Sequence, residues 1–412
     1  MKRRVAITGL GALAPNGNST EEMWNSMING VNGIGKVSLI DMSDGQVSVA
    51  GEVKNFDPLD HIDKKLARRM DRFCQLGYVA ASEAMDDACF GNDMPDPYRF
   101  GVLIGSGIGG LQTMETEVTK LNAKGLKGTF PLFIPMMIGN IAPGLIAMKY
   151  GLKGHNTTVV TACASGAHGI GDAYRLIKDG YMDAMVTGGC EAPVTRLAMS
   201  GFASLKALTL ADDPNRASIP FDAERSGFVI GEGAGMMVLE EYEHAKARGA
   251  KIYGEIIGYG SSADAYHMTA PHPEADGLVS AIKQAIADAG IAKEDIKYIN
   301  AHGTSTELND LSETKAYKIA FGEHAKDLKI SSTKSMTGHM LGATGAIEAI
   351  VSVKAAQTGI IPPTINYKVP DPECDLDYTP NKAIEFDAGI TMSNNLGFGG
   401  QNASLIFKRE EQ

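Results

Sequence analysis

Short β-branched apolar runs alternate with longer stretches of helical periodicity along this whole chain, and few architectures accommodate that rhythm. Runs at residues 5–8, 101–104, 157–162, 184–187 and 235–239 serve a first part, and runs at 252–258, 298–301, 328–331, 384–386 and 403–407 a second. Strands this apolar are buried on both faces, so the pattern predicts a layered α/β fold. Ser19, with Glu22 three residues on, reads as a capping box opening a helix over 21–29. A helical stretch over 242–248 stops at Gly249, after which the series starts afresh. Two halves are therefore expected, 1–250 and 251–412, since 412 residues exceed what one core usually holds. Each half contains a strand, a small-residue elbow and a helix bearing glycines. The first unit runs from Thr157 through Thr161-Ala162-Cys163-Ala164-Ser165-Gly166 to Lys178. The second runs from Ile330 through Lys334-Ser335-Met336-Thr337-Gly338-His339 to Gly345, Glu348 and Val353, and a duplication accounts for the likeness.

The net charge of −11 opposes a general role in coating nucleic acid or anionic lipid. Five scattered cysteines form no CxxC or zinc-ligand spacing, so neither a metal site nor a cofactor site is expected and a reducing compartment is implied. Lys2-Arg3-Arg4 and the apolar run behind it imitate a secretory signal, but Thr8, Gly9 and Gly11 interrupt that run, which reads better as a first strand stopped by glycine. No stretch reaches the roughly 20 apolar residues of a membrane span, so a cytoplasmic location is expected.

Three side chains stand where strands meet loops. Cys163 opens a helix, where the macrodipole and free N–H groups favour thiolate and would also hold an oxyanion. A buried structural cysteine fits the same letters. His302, in Asn300-Ala301-His302-Gly303-Thr304-Ser305-Thr306, and His339 follow the strands at 298 and 328, the edge at which open α/β sheets bind ligands. With no acidic partner evident, the two imidazoles read as hydrogen-bond donors to developing negative charge, although a lone histidine more often only satisfies a hydrogen bond. Lys334 and Glu348 flank His339, either as a buried pair that orients the ring or as a surface pair.

Two glycine loops invite a nucleotide reading. Gly9-x-Gly11-x-x-Ala14 fails because Pro15-Asn16-Gly17 prevents a helix from starting there. Residues 105–110 lack an acidic ribose partner and read as a flexible loop gating a pocket. At 61–72, Lys64, Lys65, Arg68, Arg69 and Arg72 face only Asp63 and Asp71. At helical spacing this is a positive patch suited to an acidic partner, or else a solvated helix face.

Together, Thr161 to Gly166, Asn300 to Thr306, Lys334 to His339 and Asn394-Asn395-Leu396-Gly397-Phe398-Gly399-Gly400-Gln401-Asn402 resemble, in order, the motifs of the β-ketoacyl-acyl carrier protein synthases, and most of all the elongating enzymes of type II systems. The resemblance spans essentially the whole chain. It implies a thiolase-like fold with a duplicated five-layered αβαβα core, a homodimer, and decarboxylative Claisen condensation of acyl- and malonyl-acyl carrier protein in fatty acid elongation. It also implies roles: Cys163 as acyl acceptor, His302 and His339 in decarboxylation, Lys334 and Glu348 as their support, and the N–H groups of Cys163 and Phe398 as oxyanion hole. Thr304 and Thr306 would contact the phosphopantetheine arm, and Ile108 and Phe398 would stand at chain-length and gate positions. Lys64, Lys65, Arg68, Arg69 and Lys206 would dock the carrier protein. Glu307, Leu396 and Gln401 depart from the commonest family letters. A ketosynthase of a type II polyketide system is the alternative reading. A thiolase would need a second active-site cysteine near residues 397–402, and a chain-length factor would lack Cys163.

Overall fold

The computed structural model describes residues 3–410; Lys2 lies outside them. Its centre is a sheet of ten strands: β1 Val5–Leu13, β2 Phe100–Gly105, β3 Asn156–Val159, β4 Ala184–Glu191, β5 Gly233–Glu241, β6 Gly254–Ala263, β7 Tyr298–Asn300, β8 Lys329–Ser331, β9 Ile390–Gly397 and β10 Gln401–Arg409. Across the sheet they run β8-β7-β9-β10-β6-β1-β5-β4-β2-β3. Counted outward from the β1–β6 junction, both wings have the same plan: antiparallel pairs first (β1–β5 and β5–β4; β6–β10 and β10–β9), then parallel ones (β4–β2 and β2–β3; β9–β7 and β7–β8). The wings meet only through residues 5–7 against 254–256, which lets them diverge.

Period-2 alternation distributes each strand between two cores. Leu103, Met237, Leu405 and Phe407 join Ile170, Ile347 and Val351 of the helices Ser165–Lys178 and Thr344–Thr358 in a core between the wings. Val102, Ile104 and Val238 pack outward on the helix Arg72–Ala88, while Ile299 and Ile406 pack outward on Asp276–Ala289 and Glu307–Phe321. The result is the five-layered αβαβα arrangement, and both middle-layer helices are buried on nearly every side.

Three sequence expectations change. β1 is not stopped at residue 8 but continues to Leu13, because Gly9 and Gly11 let the helix Arg72–Ala88 lie directly on it: a Cβ at either would meet the Ala84 or Ala80 carbonyl oxygen at 2.1 or 1.9 Å. Gly258 and Gly260 of β6 repeat the device against Ala285 and Ala281, at 2.4 and 1.9 Å, so the Gly-x-Gly pairs are packing features and not phosphate cradles. Residues 384–385 form a small separate pair with Ile360–Ile361, and the strand in the main sheet is Ile390–Gly397. Its polar Ser393, Asn394 and Asn395 are fully buried, with Asn394 accepting from Ser404 Oγ at 2.6 Å and Asn395 donating to Glu348 at 2.7 Å. Finally, Ser19 caps Thr20–Ile28 as expected, but Glu22 turns back to the N–H of Asn18 and leaves the capping box unclosed. No helix among the described residues is long and apolar enough to cross a membrane.

Candidate active site

Cys163 sits in a single 3-10 turn, Ala162–Ala164, between β3 and the helix Ser165–Lys178. Ala162 has φ +50°, a left-handed conformation that turns the chain sharply enough to aim the next side chain back over the sheet edge. Ser165 holds the turn by accepting from the Thr161 N–H at 2.9 Å and donating to the Ala162 carbonyl at 2.7 Å. The counterpart in the second half is the turn Leu341–Ala343 before Thr344–Thr358, with Leu341 at φ +46°. The letters pair the Cys163 elbow with residues 334–339. The backbone matches it to residues 341–345 instead, which sets Gly342 opposite Cys163.

A cavity of about 380 Å³ is lined by Cys163, His302, His339, Thr304, Thr306, Lys206 and Phe398, among others. The rings of His302 and His339 are 5.2 Å apart and perpendicular, and Phe228 lies edge-on to His339 at 5.3 Å. Nucleophile and imidazoles therefore share one chamber. The Lys334 ammonium, buried with Glu348, bonds that carboxylate at 2.6 Å and also donates to the His302 carbonyl and to its Nδ1 at 3.4 Å. An ammonium only donates, so His302 carries its proton on Nε2. His339 Nδ1 lies 3.1 Å from the Thr344 hydroxyl, which leaves its Nε2–H free in the same way when the hydroxyl donates. Burial holds both histidines well below the usual imidazole range, and the charge on Lys334 adds to the effect. Neutral donors are thus what the site contains.

The thiol departs from the sequence expectation. Burial pushes Cys163 up to about 12, Lys334 and the N–H groups of Phe398 and Cys163 itself pull the other way, and Glu191 raises it further. Desolvation outweighs the helix terminus and the nearby donors, so burial favours the thiol form. Accordingly, the rate of Cys163 alkylation by iodoacetamide is expected to keep rising from about pH 7 to pH 10. A plateau below pH 8 would reveal a resting thiolate.

The Phe398 N–H reaches the sulfur because the chain lies directly on the elbow: a Cβ on Gly397 would stand 2.5 Å from the Thr161 carbonyl oxygen. Thr304 and Thr306 hydroxyls are 2.8 Å apart on the wall, and Lys206 is exposed at the rim. Ile108 does not line this cavity; it is 43% exposed in the single chain. Lys64, Lys65, Arg68 and Arg69 are exposed on and just after the short helix Lys64–Ala67, and none has an acidic partner among the described residues. Arg72 leaves that patch, because Asp71 caps a new helix and turns it inward to Glu232 at 2.6 Å. Several groups carried no local signal: Thr344, Phe228, Asn395 on Glu348, and Glu313, which accepts from the His302 N–H at 2.8 Å.

A pocket that gathers a buried cysteine, two neutral imidazoles and paired N–H groups over a duplicated α/β core is suited to a condensing acyltransferase, and comparison with known proteins agrees. The profile "Beta-ketoacyl synthase, N-terminal domain" matches residues 2–245, and its C-terminal counterpart matches residues 253–368. The chain belongs to the β-ketoacyl synthase family. Over 409 residues it is 52% identical to 3-oxoacyl-[acyl-carrier-protein] synthase 2 of Staphylococcus aureus, covering 99% of both chains. Identity to the protein of the same name from Synechocystis sp. is 50%, covering 99% of this chain and 98% of that one. Among solved structures, a type II polyketide ketosynthase in complex with its acyl-carrier protein superposes with TM-score 0.93 at 35% identity, covering 100% of both chains. A β-ketoacyl synthase from Burkholderia phymatum gives 0.91 at 35% identity, covering 99% of this chain and 100% of that one.

Proposed function

We propose that this protein is a 3-oxoacyl-[acyl-carrier-protein] synthase of the second type, which lengthens fatty acyl chains by decarboxylative condensation. The observation that carries the reading is the shared chamber of Cys163, His302 and His339. The Cys163 sulfur attacks the acyl thioester while the N–H groups of Cys163 and Phe398 hold the oxyanion. The C–S bond to phosphopantetheine breaks, and the departing sulfur takes the cysteine's proton. Malonyl thioester then enters. Its C–C bond to the carboxylate breaks, carbon dioxide leaves, and the electron pair becomes an enolate whose oxygen accepts from the Nε2–H groups of His302 and His339. The enolate carbon attacks the acyl carbonyl, the Cys163 C–S bond breaks, and the released sulfur is reprotonated from solvent. Neutral imidazoles suit this work because they donate without giving up a proton.

Thr304 and Thr306 are assigned to the pantetheine arm, supported by their place on the wall, and Ile108 to the far end of the acyl chain. Lys64, Lys65, Arg68, Arg69 and Lys206 are assigned to the acidic carrier protein, supported by four unpaired exposed cations on a chain of net charge −11. Changing Lys64, Lys65, Arg68 and Arg69 to glutamate is expected to raise KM for the carrier-protein substrate about tenfold and to flatten its salt dependence. The reading includes halves at 1–250 and 251–412, a cytoplasmic location and a homodimer. The dimer is supported by β3, an edge strand followed by Val160 at 65% exposure.

The decisive experiment is incubation with acyl-acyl carrier protein followed by peptide mass analysis. An acyl adduct on the Cys163 peptide that malonyl-acyl carrier protein then discharges as a 3-oxoacyl product is expected. Absence of any adduct would refute the reading. A multi-unit polyketone product would favour the polyketide alternative.

A further inference from the structure

The glycine-rich loop at 105–110, whose spacing suggested a nucleotide, already holds an anion: a carboxylate of the protein itself. Glu191, at the end of β4, is fully buried, and no lysine or arginine pairs with it among the described residues. Its Oε1 accepts from the Ser106 hydroxyl at 3.0 Å and from the N–H groups of Ile108 and Gly109 at 3.1 and 3.2 Å. Its Oε2 accepts from the N–H groups of Gly107 at 2.5 Å and Gly342 at 3.1 Å. Five donors converge on one carboxylate, four of them from the loop and one from the second-half elbow. Carboxylates accept only, so this array both satisfies the buried charge and ties the loop down. The gating loop expected from the sequence is thus pinned along most of its length.

The same loop touches the nucleophile's elbow. A Cβ on Gly107 would lie 2.9 Å from Glu191 Oε2 and 3.3 Å from the Ala162 carbonyl oxygen, and one on Gly342 would lie 2.5 Å from the Gly107 nitrogen. Beyond the loop, Leu111 packs with Ala162, Phe202 and Leu341 in the apolar cluster that contains Cys163. Leu111, two residues past the pinned segment, therefore links the loop to the apolar surroundings of that sulfur, where an alkyl chain bonded to it would begin.

We propose that Glu191 is a positioning residue for acyl selection: its carboxylate locks the 106–109 loop, the Cys163 elbow and the Gly342 elbow into one unit and thereby sets the shape of the wall that acyl primers meet. The inference rests on the reading of the protein as an acyl-elongating synthase. Glu191→Gln keeps the volume but offers one accepting oxygen and turns an NH₂ toward N–H donors, so part of the array is lost. Ser106→Ala removes a single donor.

The test compares kcat/KM for butyryl- and palmitoyl-acyl carrier protein in the native enzyme and both variants. A slackened wall is expected to shift the ratio toward the longer primer by about tenfold in Glu191→Gln, a magnitude ordinary for reshaped apolar pockets. Ser106→Ala should shift it in the same direction by less, and it decides the matter alone if Glu191→Gln fails to fold. Equal slowing of both primers, or an unchanged ratio in both variants, would overturn the proposal and leave Glu191 a structural residue. Failure of the native enzyme to accept either primer would instead refute the assignment of function.

Discussion

Cys163→Ala is expected to reduce chain elongation by at least about four orders of magnitude, the scale on which losing a covalent nucleophile operates. No other group in the cavity matches it: Cys163 is the one cysteine on its wall, and of the serine and threonine hydroxyls there only Thr269 has an imidazole within hydrogen-bonding distance among the described residues, His267 Nδ1 at 3.4 Å, a nitrogen that already accepts from the N–H groups of Thr269 and Ala270. The substitution should spare decarboxylation of malonyl-acyl carrier protein, because His302, His339 and the Lys334–Glu348 pair do not depend on the sulfur for their positions. Product release followed by mass spectrometry, alongside carbon dioxide release, separates the two half-reactions. Elongation persisting at even a hundredth of the native rate would show that acyl transfer bypasses Cys163.

Lys334→Met is the second large effect, and it falls on stability and chemistry together. Both partners of the pair are 1% exposed, so removing the ammonium leaves the Glu348 carboxylate in the core with only the Asn395 amide for company. Breaking a buried pair on one side costs about 3–5 kcal/mol, against a total folding stability of roughly 5–15 kcal/mol. A lower urea midpoint at unchanged slope is the expected reading. Adding Glu348→Gln should recover much of that stability, since an amide has no charge to desolvate, but not turnover, because His302 has still lost the donor that fixes its tautomer. Turnover restored in the double variant would mean that Lys334 acts on the fold alone.

Resting protonation links these results to the catalytic cycle. A neutral thiol beside two neutral rings keeps charge off the reacting groups themselves until substrate brings its own. Charge then appears only where N–H donors already wait for it, and no solvent has to reorganise. The correction from thiolate to thiol therefore changes the timing of proton transfer and leaves the order of bond making intact.

How legible each part was follows from the range of the interactions involved. The alternation of apolar runs and the elbow letters around Cys163, His302 and His339 are local patterns, and the fold class and the placing of these three side chains at strand ends could be read from them. β9 could not be, because Ser393, Asn394 and Asn395 are polar letters in a fully buried strand, and Asn395 is held there by Glu348, 47 residues away. The match between repeats slipped from 341–345 to 334–339 for a similar reason. The left-handed turn at Leu341 is a backbone state, and its letters do not announce it. Arg72 left the positive patch because the short helix ends at Ala67 and Asp71 caps a new one.

By itself, then, the sequence determined that this is a layered, duplicated α/β chain with a cysteine and two histidines at strand ends, since periodicity and residue chemistry are written one neighbour at a time. Only the closed chain shows that burial favours the thiol form of Cys163, that Glu191 is the acceptor inside the glycine loop, and that Gly342 holds the place in the second-half turn that Cys163 holds in the first. Each of those depends on what burial removes from water and on which distant N–H groups converge on a single atom, and such quantities exist only after the chain has closed on itself.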